Sequence, residues 1–130
     1  MRAFFDTNVL VYAQREGRKG DIARLLMLDG GTISVQVLNE LTNVLRRKSR
    51  LEWGAVIDAI DDVIKMLGEP LSITLETHRL AVMLARAHGF SFYDALLLAA
   101  AIQDGCDVMY SEDMQHGRIL GALEIRNPFI

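Results

Sequence analysis

Arg2-Ala3-Phe4-Phe5-Asp6-Thr7-Asn8 runs a short apolar, aromatic-rich segment straight into a carboxylate and two small polar residues. It reads as a strand ending in a turn, with Asp6 at the strand's C-terminal end. Comparable segments recur along the chain. Thr32-Ile33-Ser34, Leu71-Ser72-Ile73 and Val108-Met109-Tyr110 are three more strands, and Leu123-Glu124-Ile125 is a fifth. The stretches between them have helical periodicity. Val9 to Ala13 starts a helix, the basic loop Gly17 to Gly20 breaks it, and Ile22, Leu25, Leu26 and Leu28 repeat at helical spacing from Asp21 until Gly30-Gly31. Ser34 can cap the next helix, in which Val37, Leu38, Leu41, Val44 and Leu45 form one apolar stripe with Glu40 at its edge.

The run Arg46-Arg47-Lys48-Ser49-Arg50 closes that helix. The helix from Glu52 to Leu67 turns Val56, Ile57, Ile60, Val63, Ile64 and Leu67 inward and leaves Asp58, Asp61 and Asp62 as a solvated face. Thr74 caps a helix reaching His88, where Gly89 stops it, and Ser91 with Asp94 forms an S-x-x-D capping box for a helix running to Gln103. Strands alternating with helices imply right-handed crossovers and an α/β fold of three layers, a central parallel sheet of four to five short strands flanked by helices. At 130 residues the chain makes a single domain, 1–130.

Composition narrows the class. Half the residues are apolar (51%) and a quarter charged (24%), as in globular proteins. The longest apolar run, Ala95 to Ile102, falls short of a membrane span, and Asp6 comes too early for a signal peptide, so the expected location is the cytoplasm. Cys106 is the only cysteine, which leaves no internal disulfide and points to a lone buried thiol. The net charge of -3 conceals an asymmetry: nine Lys/Arg against five Asp/Glu up to residue 50, then five against twelve. A basic surface can therefore coexist with an acidic site.

Four carboxylates fall at comparable places. Asp6 and Asp113 follow strands, Asp94 opens a helix, and Glu40 lies about one and a half turns into the helix after the second strand. In open α/β sheets, ligands bind beyond the carboxyl ends of the strands. Four gathered carboxylates would repel one another and raise their pKa values unless hard divalent cations such as Mg²⁺ or Mn²⁺ neutralised them. Such a site suits phosphodiester hydrolysis by water. Each residue also has a plainer reading: Asp6-Thr7-Asn8 as an Asx-type turn, Asp94 as a cap, Glu40 as a boundary charge, Asp113 as a turn residue. Asn8 and Ser111 can orient a water or phosphate or serve as turn and cap, and His116 beside Gly117 reads as an exposed loop residue.

Asp6-Thr7-Asn8-Val9-Leu10-Val11-Tyr12-Ala13, Glu40, Tyr93-Asp94-Ala95-Leu96 and Ser111-Glu112-Asp113-Met114-Gln115-His116-Gly117 together resemble the PIN domain, and within it the VapC-type toxin ribonucleases. The resemblance covers nearly the whole chain, with no departure at the four acidic positions. It implies a PIN-like fold and a Mg²⁺- or Mn²⁺-dependent endoribonuclease with Asp6, Glu40, Asp94 and Asp113 as catalytic and metal-binding residues, Glu112 standing close enough to share Asp113's role. It also implies an RNA substrate, a separate antitoxin protein and a homodimer. Arg46, Arg47, Lys48 and Arg50, on and just beyond the helix that carries Glu40, are candidates to border an RNA path; a solvated helix end is the alternative. Two other functions compete. A haloacid-dehalogenase-type phosphatase also begins with an aspartate after the first strand, but Asn8 stands where its second aspartate belongs. A PIN-like RNA- or protein-binding module without catalysis would keep the acidic residues for structure alone.

Overall fold

The computed structural model describes residues 1–130. Strand β1 (Ala3–Phe5) is buried at all three residues, so both faces of the sheet are covered where it runs. It pairs in parallel with β2 (Val108–Tyr110), which pairs in parallel with β4 (Leu123–Arg126), and β3 (Ile119–Leu120) closes the edge antiparallel to β4. The order is β1-β2-β4-β3. Along β4, Leu123 and Ile125 are buried while Glu124 and Arg126 are part-exposed and paired to each other, so one face opens to water at this edge.

Six helices surround the sheet: α1 (Thr7–Ala13), α2 (Arg18–Leu28), α3 (Val35–Arg47), α4 (Trp53–Leu67), α5 (Leu75–His88) and α6 (Phe92–Gln103). Helix α5 packs on α6, α1 packs on α2 and α3, and α3 packs on α4 and touches α6. Residues Ala95 to Ala101 of α6 are all buried, as expected of a helix that is apolar all round. None of the helices is long and apolar enough to cross a membrane. Cys106 is buried, and burial pushes its thiol up to about 11.

Several elements differ from the sequence reading. The strands expected at 32–34 and 71–73 shrink to single parallel bridges, Phe4 to Thr32 and Ser34 to Leu71. Leu71 nevertheless accepts from Val35 and donates to Ile33, so the sheet's hydrogen bonding continues past β1 for a residue or two. Ser34 takes the N-cap position of α3 but makes no side-chain cap bond: it is fully buried, and its hydroxyl has no partner. Helix α2 begins at Arg18, three residues before the expected start, and Gly20 within it packs closely against the end of α1 and the residues that follow it. A Cβ there would lie 2.1 Å from the Arg15 carbonyl oxygen and 2.9 Å from that of Tyr12. In α2 the buried face is Ala23 and Met27, while Leu25 and Leu28 are exposed; in α4, Ile57 is exposed. The short strand β3 carries no sequence signal of its own beyond Ile119-Leu120.

The expected caps at the other helices form. Thr74 and Thr77 exchange backbone and hydroxyl bonds at 3.2 Å in a reciprocal box, Gly89 takes the left-handed conformation after His88, and the Ser91 hydroxyl accepts the Asp94 N–H at 3.3 Å.

Candidate active site

Asp6 stands where β1 ends and α1 begins. Its backbone is extended, its N–H donates to the Tyr110 carbonyl at 3.0 Å, and its Oδ1 accepts the Thr7 N–H at 2.6 Å. The neighbouring strand supplies the other donor. Ser111, fully buried just after β2, donates its hydroxyl to Asp6 Oδ2 at 2.6 Å and accepts the Met114 N–H at 3.2 Å. The carboxylate is thus buried and oriented on both oxygens. Burial pushes its pKa up to about 6; the bonds from Ser111 and Thr7 pull it down, and the negative charges of Asp94 and Glu40 add to the rise.

Glu40 comes to the same place from α3. Its Oε1 accepts the Thr7 hydroxyl at 2.7 Å and its Oε2 accepts the Gln36 amide at 3.1 Å, one turn earlier on the same helix. Thr7 therefore bridges two carboxylates, giving its N–H to Asp6 and its hydroxyl to Glu40. Asp94, in the first turn of α6, is half-buried; burial raises its pKa, the Ser91 hydroxyl opposes the rise, and the charge of Asp113 adds to it. Asp113 is exposed in the loop after β2 and accepts a hydrogen bond from the Asn8 side-chain amide. Asn8 and Ser111 are each engaged with one carboxylate.

The structure brings all four acidic residues to the sheet edge at the C-terminal ends of β1 and β2. Their charges act in a chain, Glu40 and Asp94 on Asp6 and Asp113 on Asp94, and no three of them close on one point as a ready-made ligand cage. The donors are all hard oxygens, and two carboxyls are held above their ordinary pKa values, which a cation would offset. Mg²⁺ binds through one or two carboxylates while keeping waters, so these residues fit such an ion without a closed cage. Glu112 is engaged elsewhere: its Oε1 meets the Lys19 ammonium at 2.8 Å, which lowers its pKa. His116 is exposed, its Nδ1 accepting the Asn127 N–H at 2.9 Å.

Gln36, Asn39, Glu40, Asn43, Tyr93 and Asp94 line an open groove between α3 and the start of α6. Asn39 and Asn43 also line a second groove with Thr42, Arg46, Arg47 and Trp53, so the polar face of α3 connects the carboxylates to the basic end of the helix. Arg46 stacks over the Trp53 ring, 4.4 Å from its centroid, and donates to the Leu51 carbonyl at 3.0 Å. Lys48 and Arg50 are exposed beyond the helix and line neither groove.

A family model described as the PIN domain matches residues 3–119. The chain belongs to the PIN-domain family. Solved structures agree with this PIN fold. VapBC2 from Rickettsia felis, bound to a DNA fragment from its promoter, superposes with a TM-score of 0.69 at 18% identity, covering 97% of this chain and 98% of that one. VapC20 of Mycobacterium tuberculosis, a toxin that cleaves the sarcin-ricin loop, gives 0.68 at 22% identity over 85% and 89%. A toxin-antitoxin complex from Klebsiella pneumoniae gives 0.70 at 19% identity over 97% of each chain. No curated protein matches the sequence at a significant level.

Three residues beside the carboxylates have no role in the reading of the sequence. Thr7 lies inside the quoted motif, and its bridging role depends on a contact across 33 positions. Gln36 and Asn43 flank Glu40 at helical spacing, a signal available once Glu40 is taken as the centre of a face.

Proposed function

We propose that this PIN domain is a divalent-metal-dependent endoribonuclease, using Mg²⁺ or Mn²⁺, and the toxin of a type II toxin-antitoxin pair. The observation that carries the catalytic part is the Asp6 carboxylate, buried and fixed by Thr7 and Ser111, under the negative charge of Glu40 and Asp94. Burying one carboxylate among others costs stability unless a cation is drawn in. The toxin role is supported by the similarity in fold to the VapC20 toxin and to a toxin-antitoxin complex, and the antitoxin would be a separate chain.

In this reading Asp6, Asp94 and Asp113 hold the metal, and Glu40 either joins them or orients a water. A bound divalent ion supplies a lowered pKa for water and charge neutralisation at the phosphate. The chain's own part is positioning. Ser111 and the Thr7 N–H fix the direction of Asp6; the Thr7 hydroxyl and Gln36 hold Glu40 at the groove wall; Asn8 restrains Asp113, the most exposed of the four. Arg47 and the groove along α3 lead the RNA backbone toward the carboxylates. The test is calorimetric titration of Mn²⁺ into the wild type and Asp94→Asn, alongside RNA cleavage with and without EDTA. Micromolar-to-millimolar binding that Asp94→Asn weakens, with cleavage abolished by EDTA, supports the reading; cleavage that persists in EDTA overturns it.

A further inference from the structure

Trp53 is the chain's only tryptophan, and it is 56% exposed at the first residue of α4. A large indole left in water at the rim of a groove is a poor use of apolar area unless something covers it. One face already has a partner, because the Arg46 guanidinium lies 4.4 Å from the ring centroid. Arg46 is itself fixed by its bond to the Leu51 carbonyl, which uses one of five N–H donors and leaves the rest free. Thr42, Asn39 and Asn43 supply hydroxyl and amide groups beside the ring, and Arg47 a second positive charge. Two of these, Asn39 and Asn43, also line the groove that holds Glu40 and Asp94.

We propose that Trp53, Arg46 and Arg47 with Asn39, Thr42 and Asn43 form a nucleotide subsite, in which an unpaired RNA base stacks on Trp53 away from the scissile phosphate. The inference rests on the ribonuclease reading for the identity of the strand in the groove. An aromatic face accepts any base, arginines contact the adjacent phosphates, and side-chain amides and hydroxyls hydrogen-bond base edges. Stacking on the indole requires a base free of its duplex, so the subsite selects single-stranded or looped RNA over a continuous helix. The charge and polar lining favour a nucleic acid over an apolar peptide.

Because Trp53 is the sole tryptophan, its fluorescence reports the subsite directly, without turnover. The probes are a single-stranded 2′-O-methyl hexanucleotide, an abasic hexamer of equal phosphate number, a duplex of the same sequence, and hexaglutamate. The expected result is quenching by the single strand, with little from the abasic hexamer or the duplex. Trp53→Ala, checked for folding by circular dichroism, should weaken binding of the single strand about ten- to hundredfold and that of the abasic hexamer far less, while Trp53→Phe retains most of the affinity. Equal quenching by the abasic hexamer, or quenching by hexaglutamate alone, overturns the subsite. Base-dependent quenching by a protein that cleaves no RNA would sustain the subsite and sink the nuclease; cleavage with no change in Trp53 emission would do the reverse.

Discussion

Replacing Asp6 by asparagine should make the metal-free protein more stable at neutral pH, although it removes a residue at the centre of the proposed site. The folded carboxyl has its pKa near 6 against an ordinary value of 3.8, so the folded state holds a proton over a range where the unfolded chain has lost it. Stability that is fully present below about pH 4 is therefore lost as pH rises through about 6. At about 1.4 kcal/mol for each pKa unit, the ionised carboxylate costs up to about 3 kcal/mol above pH 7. Asparagine mimics the neutral form: its oxygen can accept the Thr7 N–H, and its amide can donate to the Ser111 hydroxyl. In EDTA, thermal or urea unfolding of wild type and Asp6→Asn should coincide near pH 4 and separate between pH 4 and 7, with the variant ahead by up to about 10 °C at pH 7.5. The difference curve reports Asp6 together with its coupling to Asp94 and Glu40, whose charges add to its rise. A difference that is flat from pH 4 to 8, or a variant less stable than wild type at pH 7.5 in EDTA, would refute the assigned cause.

Other substitutions probe the supporting contacts. Thr7→Val keeps the shape of a buried residue and the Asp6 cap but removes the hydroxyl that holds Glu40, so RNA cleavage should fall about five- to tenfold while unfolding shifts by no more than about 1 kcal/mol. Gly20→Ala gains helix propensity yet places a methyl group 2.1 Å from the Arg15 carbonyl oxygen; urea denaturation should show a net loss of about 1 to 3 kcal/mol. Arg47→Glu should weaken RNA binding and make the slope of log affinity against log salt shallower by at least about one, read by filter binding across salt concentrations. An unchanged slope would remove Arg47 from the RNA path.

The layered α/β architecture was legible because its signals are local. Phe4 and Phe5 in succession mark a strand covered on both sides, the uninterrupted apolar run after Asp94 marks a buried helix, and Thr74 and Gly89 mark helix ends. The segments at 32–34 and 71–73 form single bridges instead of strands, because whether three residues pair as a ladder or a single bridge is decided by their neighbours. Periodicity places Leu25, Leu28 and Ile57 inward, but the buried faces are Ala23 and Met27 in α2, which packs on α1, and Val56, Ala59 and Val63 in α4, which packs on α3. At the acidic edge, the order of Asp6, Glu40, Asp94 and Asp113 along the chain anticipated their convergence. The Thr7 bridge and the diversion of Glu112 to Lys19 were not legible, since both depend on contacts between residues distant in sequence.

Asp94 is the best residue at which to test catalysis, because the cap of α6 uses its backbone N–H, which an Asp94→Asn substitution leaves in place. The measurement is cleavage of single-stranded RNA by wild type and Asp94→Asn in Mg²⁺ or Mn²⁺, with the product ends analysed and both proteins verified as folded. Hydrolysis by water should release a phosphate monoester and a free hydroxyl with no 2′,3′-cyclic phosphate, from the wild type only. Equal cleavage by Asp94→Asn, or cyclic phosphate ends showing attack by the RNA's own 2′-hydroxyl, would contradict metal-assisted hydrolysis at this acidic edge.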